Sequence, residues 1–149
     1  IYLATGQAFD QEMAERIAIH QSRRPPHWKT IAEPLELVSV LEAHPRSLIL
    51  LDCLSLWVSN QFLTADLENK QELLDCQQRI LSQCDRLINR LQFRPDPTIM
   101  VTNEVGMGLV PDNPLGRCFR DTLGWVNQRV AQAADQVFAC FAGIPLKLK

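Results

Sequence analysis

An α/β fold with a mostly parallel sheet is the prediction for this chain, and three observations carry it. Short apolar runs alternate with longer amphipathic stretches all along the sequence. One of those runs, "SLILLD" (Ser47 to Asp52), is apolar throughout and ends in a carboxylate, as a central parallel strand does. The 149 residues are 46% hydrophobic and 21% charged, which suits one globular domain, residues 1–149, with a core of its own.

Each element follows in order. Ile1 to Ala4 reads as a short buried strand closed by Thr5-Gly6. Asp10 is placed to cap a helix in which Met13, Ile17 and His20 share one face. Arg24-Pro25-Pro26 ends that helix, because proline withholds the donors the ladder needs. From Thr30, "TIAEPLELVSVLEAH" reads as a connection and then a short helix, and Ser47 to Asp52 is the next strand. A long amphipathic helix is expected from Asp66 to Phe93. Leu67, Leu74, Ile80, Leu81, Cys84, Leu87, Ile88 and Leu91 form its apolar stripe, and Pro95 and Pro97 close it. "TIMVTNE" is a further buried strand, followed by a helix around Leu115 to Ala134, the strand "QVFACFAG" and a short tail.

Composition excludes several classes. A net charge of -2 and a pI near 5.9 give no basic face for nucleic acid. The longest apolar stretch is interrupted by Asp52 and Asn60 and is too short to span a bilayer. Cys53, Cys76, Cys84, Cys118 and Cys140 are odd in number, form no CxxC pair and have no zinc spacing with His20, His27 and His44. They are read as reduced, mostly buried thiols of a cytoplasmic protein. No signal peptide is visible, and the chain opens at Ile1 inside a strand, which suggests a natural N-terminus further upstream.

Ligands of open α/β sheets bind beyond the carboxyl ends of the strands. Ala4-Thr5-Gly6, Asp52 and Asn103-Glu104 all fall there. Asp52 after "LILL" has the form of a Walker B carboxylate, which holds Mg²⁺ beside a nucleotide phosphate; an ordinary strand-terminal Asp looks the same. Glu104 precedes Gly106 and Gly108, as in a loop that approaches a ligand closely. Arg23, Arg24, Arg117 and Arg120 are candidates to clamp phosphate oxygens, or are merely solvated, and Trp28 suits packing better than base stacking. His20 fits either a packing role or a nucleophile, since an unperturbed imidazole titrates near pH 6.5, about half a unit below neutrality. Its neutral nitrogen can attack phosphorus and later be displaced.

Taken in order, "ATGQAFDQEMAERIAIHQSRRPPHWKTIAEP", "LLDCLSLWVSN", "VTNEVGMGLVPDNPLGRCFRDTLGWVNQRVAQAADQVF" and "GIPLKLK" closely resemble the bifunctional adenosylcobinamide kinase / adenosylcobinamide-phosphate guanylyltransferase family of cobalamin biosynthesis. The resemblance runs along nearly the whole chain, and "VTNEVGMGLVP" and the "RI-x-x-H…RP-x-x-W" block are its specific parts. It implies a P-loop-NTPase-like sheet flanked by helices and a two-step enzyme that uses ATP or GTP with Mg²⁺. The first step phosphorylates adenosylcobinamide. The second transfers GMP from GTP to the product through a GMP-histidine intermediate and releases pyrophosphate.

By the same resemblance His20 is the guanylyl carrier, and nucleotide contacts fall on Ala4, Thr5, Gly6, Gln21, Ser22, Arg23, Arg24, Glu33 and Asp52, the last also toward Mg²⁺. Asn103, Glu104, Arg120, Asp121, Asn127 and Gln128 would shape the pocket or the subunit contact of a homotrimer. One departure stands out. The family opens with a strand, a GxxxxGKS-type phosphate loop and a helix, and no such motif occurs in these residues. The chain is therefore expected to be N-terminally shortened, with a sheet that lacks a central strand. A noncatalytic nucleotide- or corrinoid-binding module, or an oligomerisation fragment, is the alternative.

Overall fold

The computed structural model describes residues 1–149 as a single α/β domain. In chain order the elements are β1 (Tyr2–Ala4), α1 (Gln11–Ser22), β2 (Thr30–Ala32), α2 (Leu37–Ala43), β3 (Ile49–Asp52), α3 (Leu54–Phe62), α4 (Lys70–Gln92), β4 (Thr98–Val101), α5 (Pro114–Ala133), β5 (Phe138–Phe141) and β6 (Ile144–Lys147). Four strands pair in the order β2-β1-β3-β4, all parallel. Registers Ala4↔Asp52 and Asp52↔Val101 bring the three strand ends level with one another.

The two faces of the sheet are very different. Leu3, Ile49 and Leu51 are fully buried against a cluster that includes Trp57, Ile80, Cys84, Leu87, Leu123 and Val126 from α3, α4 and α5. Side chains alternate along a strand, so Tyr2, Leu50, Asp52, Ile99 and Val101 share the other face. There Ile99 is 53% exposed and Val101 40%. The helices that build the core therefore lie on one side.

Polar groups are satisfied where the helices meet. Gln77 donates to the Thr122 hydroxyl at 2.8 Å, joining α4 to α5, and the Trp57 indole donates to the Leu35 carbonyl at 2.9 Å. Arg94 donates to the carbonyls of Leu41, His44 and Ser47, accepting electron density from the open end of α2 that no helical N–H can reach. Asp10, Asn69 and Asn113 cap α1, α4 and α5 through their side-chain oxygens, and Pro114 takes the first position of α5.

Several elements depart from the sequence prediction. β2 was read as connection because it is three residues long and borders Pro34; its pairing with β1 makes it a strand. α3 was hidden in the apolar run after β3, where burial all round leaves no period to detect. The long helix starts at Lys70 rather than Asp66. Asp66 instead forms a local turn with Glu68, and Asn69 provides the cap. Its stripe includes Leu73, 5% exposed, while Leu74 is 43% exposed. β4 is an edge strand rather than a buried one. "QVFACFAG" does not join the parallel sheet but forms a separate hairpin with the tail, turning at Ala142 (φ 51°) and Gly143 (φ 77°). The four strands pair side by side, with β2 and β4 at the two edges of the sheet. α1 buries none of its residues, so His20 has no packing role.

The thiols are all free: Cys53, Cys76 and Cys84 are buried, Cys118 is partly buried and Cys140 is exposed. Burial, and then the neighbouring Asp85, pushes the Cys84 thiol up to about 11. The fold thus favours the neutral thiol, a contribution complete below pH 9 and lost as pH rises toward about 11. A maleimide or disulfide reagent at pH 8 is expected to label Cys140 in the folded protein and Cys84 only after denaturation; labelling of both at equal rates would contradict this burial. The stripe is checked by two truncations. Leu73→Ala should lose about 2–5 kcal/mol in urea unfolding, and Leu74→Ala less than about 0.5 kcal/mol.

Candidate active site

The strand ends are organised by Thr5, which is completely buried. Its hydroxyl donates to the Cys53 carbonyl and accepts from the Cys53 N–H, both at 2.8 Å, and its own N–H donates to the Asp52 carbonyl at 3.0 Å. The Asn60 amide, on α3, donates to the carbonyls of Thr5 and Pro34. The peptide bond between Asp52 and Cys53 is cis. These bonds lock the end of β1 to the end of β3 and set Asp52 where both strands open.

Asp52 is partly exposed, and one of its carboxylate oxygens accepts from the Tyr2 hydroxyl. The Arg24 guanidinium lies over the Tyr2 ring, 3.6 Å from its centroid, and Trp28 is tilted against the same ring at 6.4 Å. Arg24 also donates to the Thr30 hydroxyl at 3.1 Å. Burial, reinforced by the Asp52 carboxylate, raises the Tyr2 hydroxyl above the ordinary phenol range, with Arg24 opposing. Tyr2 is therefore a neutral donor to Asp52 at physiological pH. Sequence reasoning missed this residue; the only signal was a lone tyrosine in an otherwise aliphatic strand.

A second group sits beyond β4. Asn103 donates to the Ser55 hydroxyl at 2.6 Å, and Asn127 from α5 donates to the Asn103 carbonyl at 3.0 Å. Glu104 turns back and accepts from the Gly106 N–H at 2.6 Å, while Arg120 donates to the Gly106 carbonyl at 2.7 Å. A Cβ at position 106 would lie 2.7 Å from the Glu104 carboxylate oxygen, so a larger residue there would displace the Glu104 side chain from its bond to the Gly106 N–H. Arg117 is likewise spent on the carbonyls of Pro111 and Asp112. Asp121 and Gln128 are exposed on α5.

The remaining candidates are placed less tightly. Ala4 pairs with Asp52 across the sheet, and the Glu33 N–H donates to the Ala4 carbonyl. The Glu33 carboxylate accepts from the N–H groups of Leu35 and Glu36, shaping the turn into α2. Gly6 has room for a side chain, since a Cβ there meets only Leu56 and Ile17 at ordinary contact distance. His20 stands exposed in the last turn of α1, followed by exposed Gln21, Ser22 and Arg23. Thr5, Ala4, Asp52, Tyr2 and Arg24 are thus brought together, while His20 touches none of them. No three His, Cys, Asp or Glu side chains converge to hold a metal, and no helix is long and apolar enough to cross a membrane.

An open parallel sheet with its polar groups gathered beyond the strand ends defines the class: an α/β protein whose polar side chains cluster at the carboxyl edge of its sheet, where ligands of such folds bind. Comparison with known proteins makes that class specific. Residues 1–148 match the family model described as cobinamide kinase / cobinamide phosphate guanyltransferase. The bifunctional adenosylcobalamin biosynthesis protein CobP of Pseudomonas aeruginosa is 41% identical over 150 residues, covering 99% of this chain and 81% of that protein. The proteins of the same description called CobU are 41% identical in Salmonella typhimurium and 38% in Escherichia coli; each match covers all of this chain and 85% of the relative. The chain belongs to the cobinamide kinase / cobinamide phosphate guanyltransferase family.

Removing the Thr5 hydroxyl tests the organisation of the strand ends. Thr5→Val keeps the shape but leaves the buried Cys53 N–H unpaired, while the Cys53 carbonyl keeps the Trp57 N–H, and should cost about 1–3 kcal/mol in denaturant unfolding. Thr5→Ser should recover most of that loss.

Proposed function

We propose that this chain carries out the two reactions in its family's description, with His20 as the guanylyl carrier. The observation that carries the assignment is the link from Arg24, close behind His20, through Tyr2 to Asp52, which ties the histidine helix to the strand ends. In the first reaction a hydroxyl of the corrinoid side arm attacks the terminal phosphorus of ATP or GTP and gives up its proton, and the bond to the bridging oxygen breaks to release ADP or GDP. In the second, an imidazole nitrogen of His20 attacks the α-phosphorus of GTP. The N–P bond forms as the bond to pyrophosphate breaks. The substrate's phosphate then displaces the histidine, breaking the N–P bond and yielding adenosylcobinamide-GDP.

The exposed His20 suits a group that must meet two different partners in turn. Arg23 and Arg24 supply positive charge beside it for phosphate oxygens. The backbone at Ala4, Thr5 and Gly6 lies level with Asp52, where the phosphates would sit. One Asp52 oxygen remains free of protein partners, and a single carboxylate together with phosphate oxygens and water is the usual setting for Mg²⁺. Bound there, Mg²⁺ would neutralise developing charge on the phosphates. A homotrimer and a cytoplasmic location belong to the same reading. Whole-chain similarity to bifunctional biosynthesis proteins disfavours the noncatalytic alternative.

Intact mass after incubation with GTP and Mg²⁺ at neutral pH is expected to rise by one GMP, in an acid-labile adduct absent from His20→Ala. If no adduct forms, even after the phosphate-loop segment of a relative is restored at the N-terminus, the guanylyltransferase assignment fails.

A further inference from the structure

Tyr2 lies at the centre of the candidate site yet has no place in the two-step chemistry. It is 8% exposed, and a buried phenol must spend its hydroxyl on a partner. The partner is the carboxylate of Asp52, at the end of the neighbouring strand. The aromatic ring is used as well, because Arg24 covers one side of it.

The consequence lies in what does not happen. Arg24 and Asp52 carry opposite charges and both contact Tyr2, but they form no salt bridge; the ion pairs of the chain are Arg16–Glu12, Arg90–Glu42 and Arg129–Asp85. A direct Arg24–Asp52 pair would neutralise both groups and bind a nucleotide phosphate or its cation poorly. With Tyr2 between them, the carboxylate is held by a neutral donor and the guanidinium by a π face. Each keeps its charge for a ligand.

We propose that Tyr2 is a positioning residue: its hydroxyl orients Asp52 and its ring seats Arg24, keeping the two charges apart so that one can serve the cation and the other the phosphates of a magnesium–nucleotide complex. This rests on the nucleotide-binding reading above. Tyr2 acts through Asp52 and Arg24 and touches no reacting atom.

The test is isothermal titration of GTP into the wild-type chain, Tyr2→Phe, Asp52→Asn and the double variant, once with Mg²⁺ and once with EDTA. Tyr2→Phe keeps the ring that Arg24 and Trp28 pack on, and an unchanged thermal midpoint verifies the fold. The expected result is a loss of about ten-fold in affinity with Mg²⁺, the order of one hydrogen bond to a charged group. Little change is expected in EDTA, and no added loss when Asp52 is already Asn. A merely structural role would weaken both titrations alike. If Tyr2→Phe binds magnesium–GTP as tightly as the wild type, or its loss adds fully to that of Asp52→Asn, the positioning role is wrong and the nucleotide-binding reading survives. If the wild type binds no magnesium–GTP, even with the phosphate-loop segment of a relative joined at its N-terminus, that reading falls and the role of Tyr2 falls with it.

Discussion

The geometry of the strand ends depends on one buried hydroxyl. Thr5 closes both backbone groups of Cys53 onto itself, and its own backbone is held by Asp52 and Asn60. No water is needed to satisfy these groups, and releasing the Thr5 hydroxyl would leave the buried Cys53 N–H without a partner. Because β1 and β3 are fastened at this point, the carboxylate of Asp52 emerges in a fixed place, and Tyr2 and Arg24 are ordered around it. The helical core under the other face supplies stability. Thr5 turns that stability into position.

The site is built in two mechanical parts. The strand ends stand on Leu3, Ile49 and Leu51, which have no freedom to move without opening the core. The histidine is carried by a helix that buries nothing, held at its far end by Arg24 on a tyrosine ring and a threonine hydroxyl. Helices with few buried contacts belong to the low-stability end of a protein's opening spectrum. Under the proposed function, rigid strand ends and a loosely seated His20 are well matched to chemistry in which one group is loaded at one partner and unloaded at another.

Much of this was legible in the sequence, and what was not has physical reasons. Continuous apolar runs ending in polar residues announced β1 and β3 and placed Thr5 and Asp52 together before any coordinates. Motif resemblance singled out His20, which helical spacing with Met13 and Ile17 alone would have sent to the core. Tyr2 was illegible, because its importance comes from reaching along the strand to a carboxylate on another strand, a relation with no local signature. Glu104 and Gly106 suggest a loop built for a ligand, and in the structure the Glu104 carboxylate accepts from the Gly106 N–H, a local bond that spacing alone does not reveal. α3 was invisible because a helix buried on every side has no polar stripe to reveal its period.

The one-sided core has a colloidal consequence. Leu50, Ile99 and Val101 face outward beside a β4 edge whose backbone groups on one side have no strand partner, and the hairpin adds exposed Phe138, Phe141, Ile144 and Leu146. Such edges template the addition of further strands unless charge keeps molecules apart. A chain with a net charge of only -2 and a pI near 5.9 has little repulsion to offer in mildly acidic solution. Its solubility should therefore be lowest near pH 6 and improve on the alkaline side, as charge builds up around the exposed apolar residues.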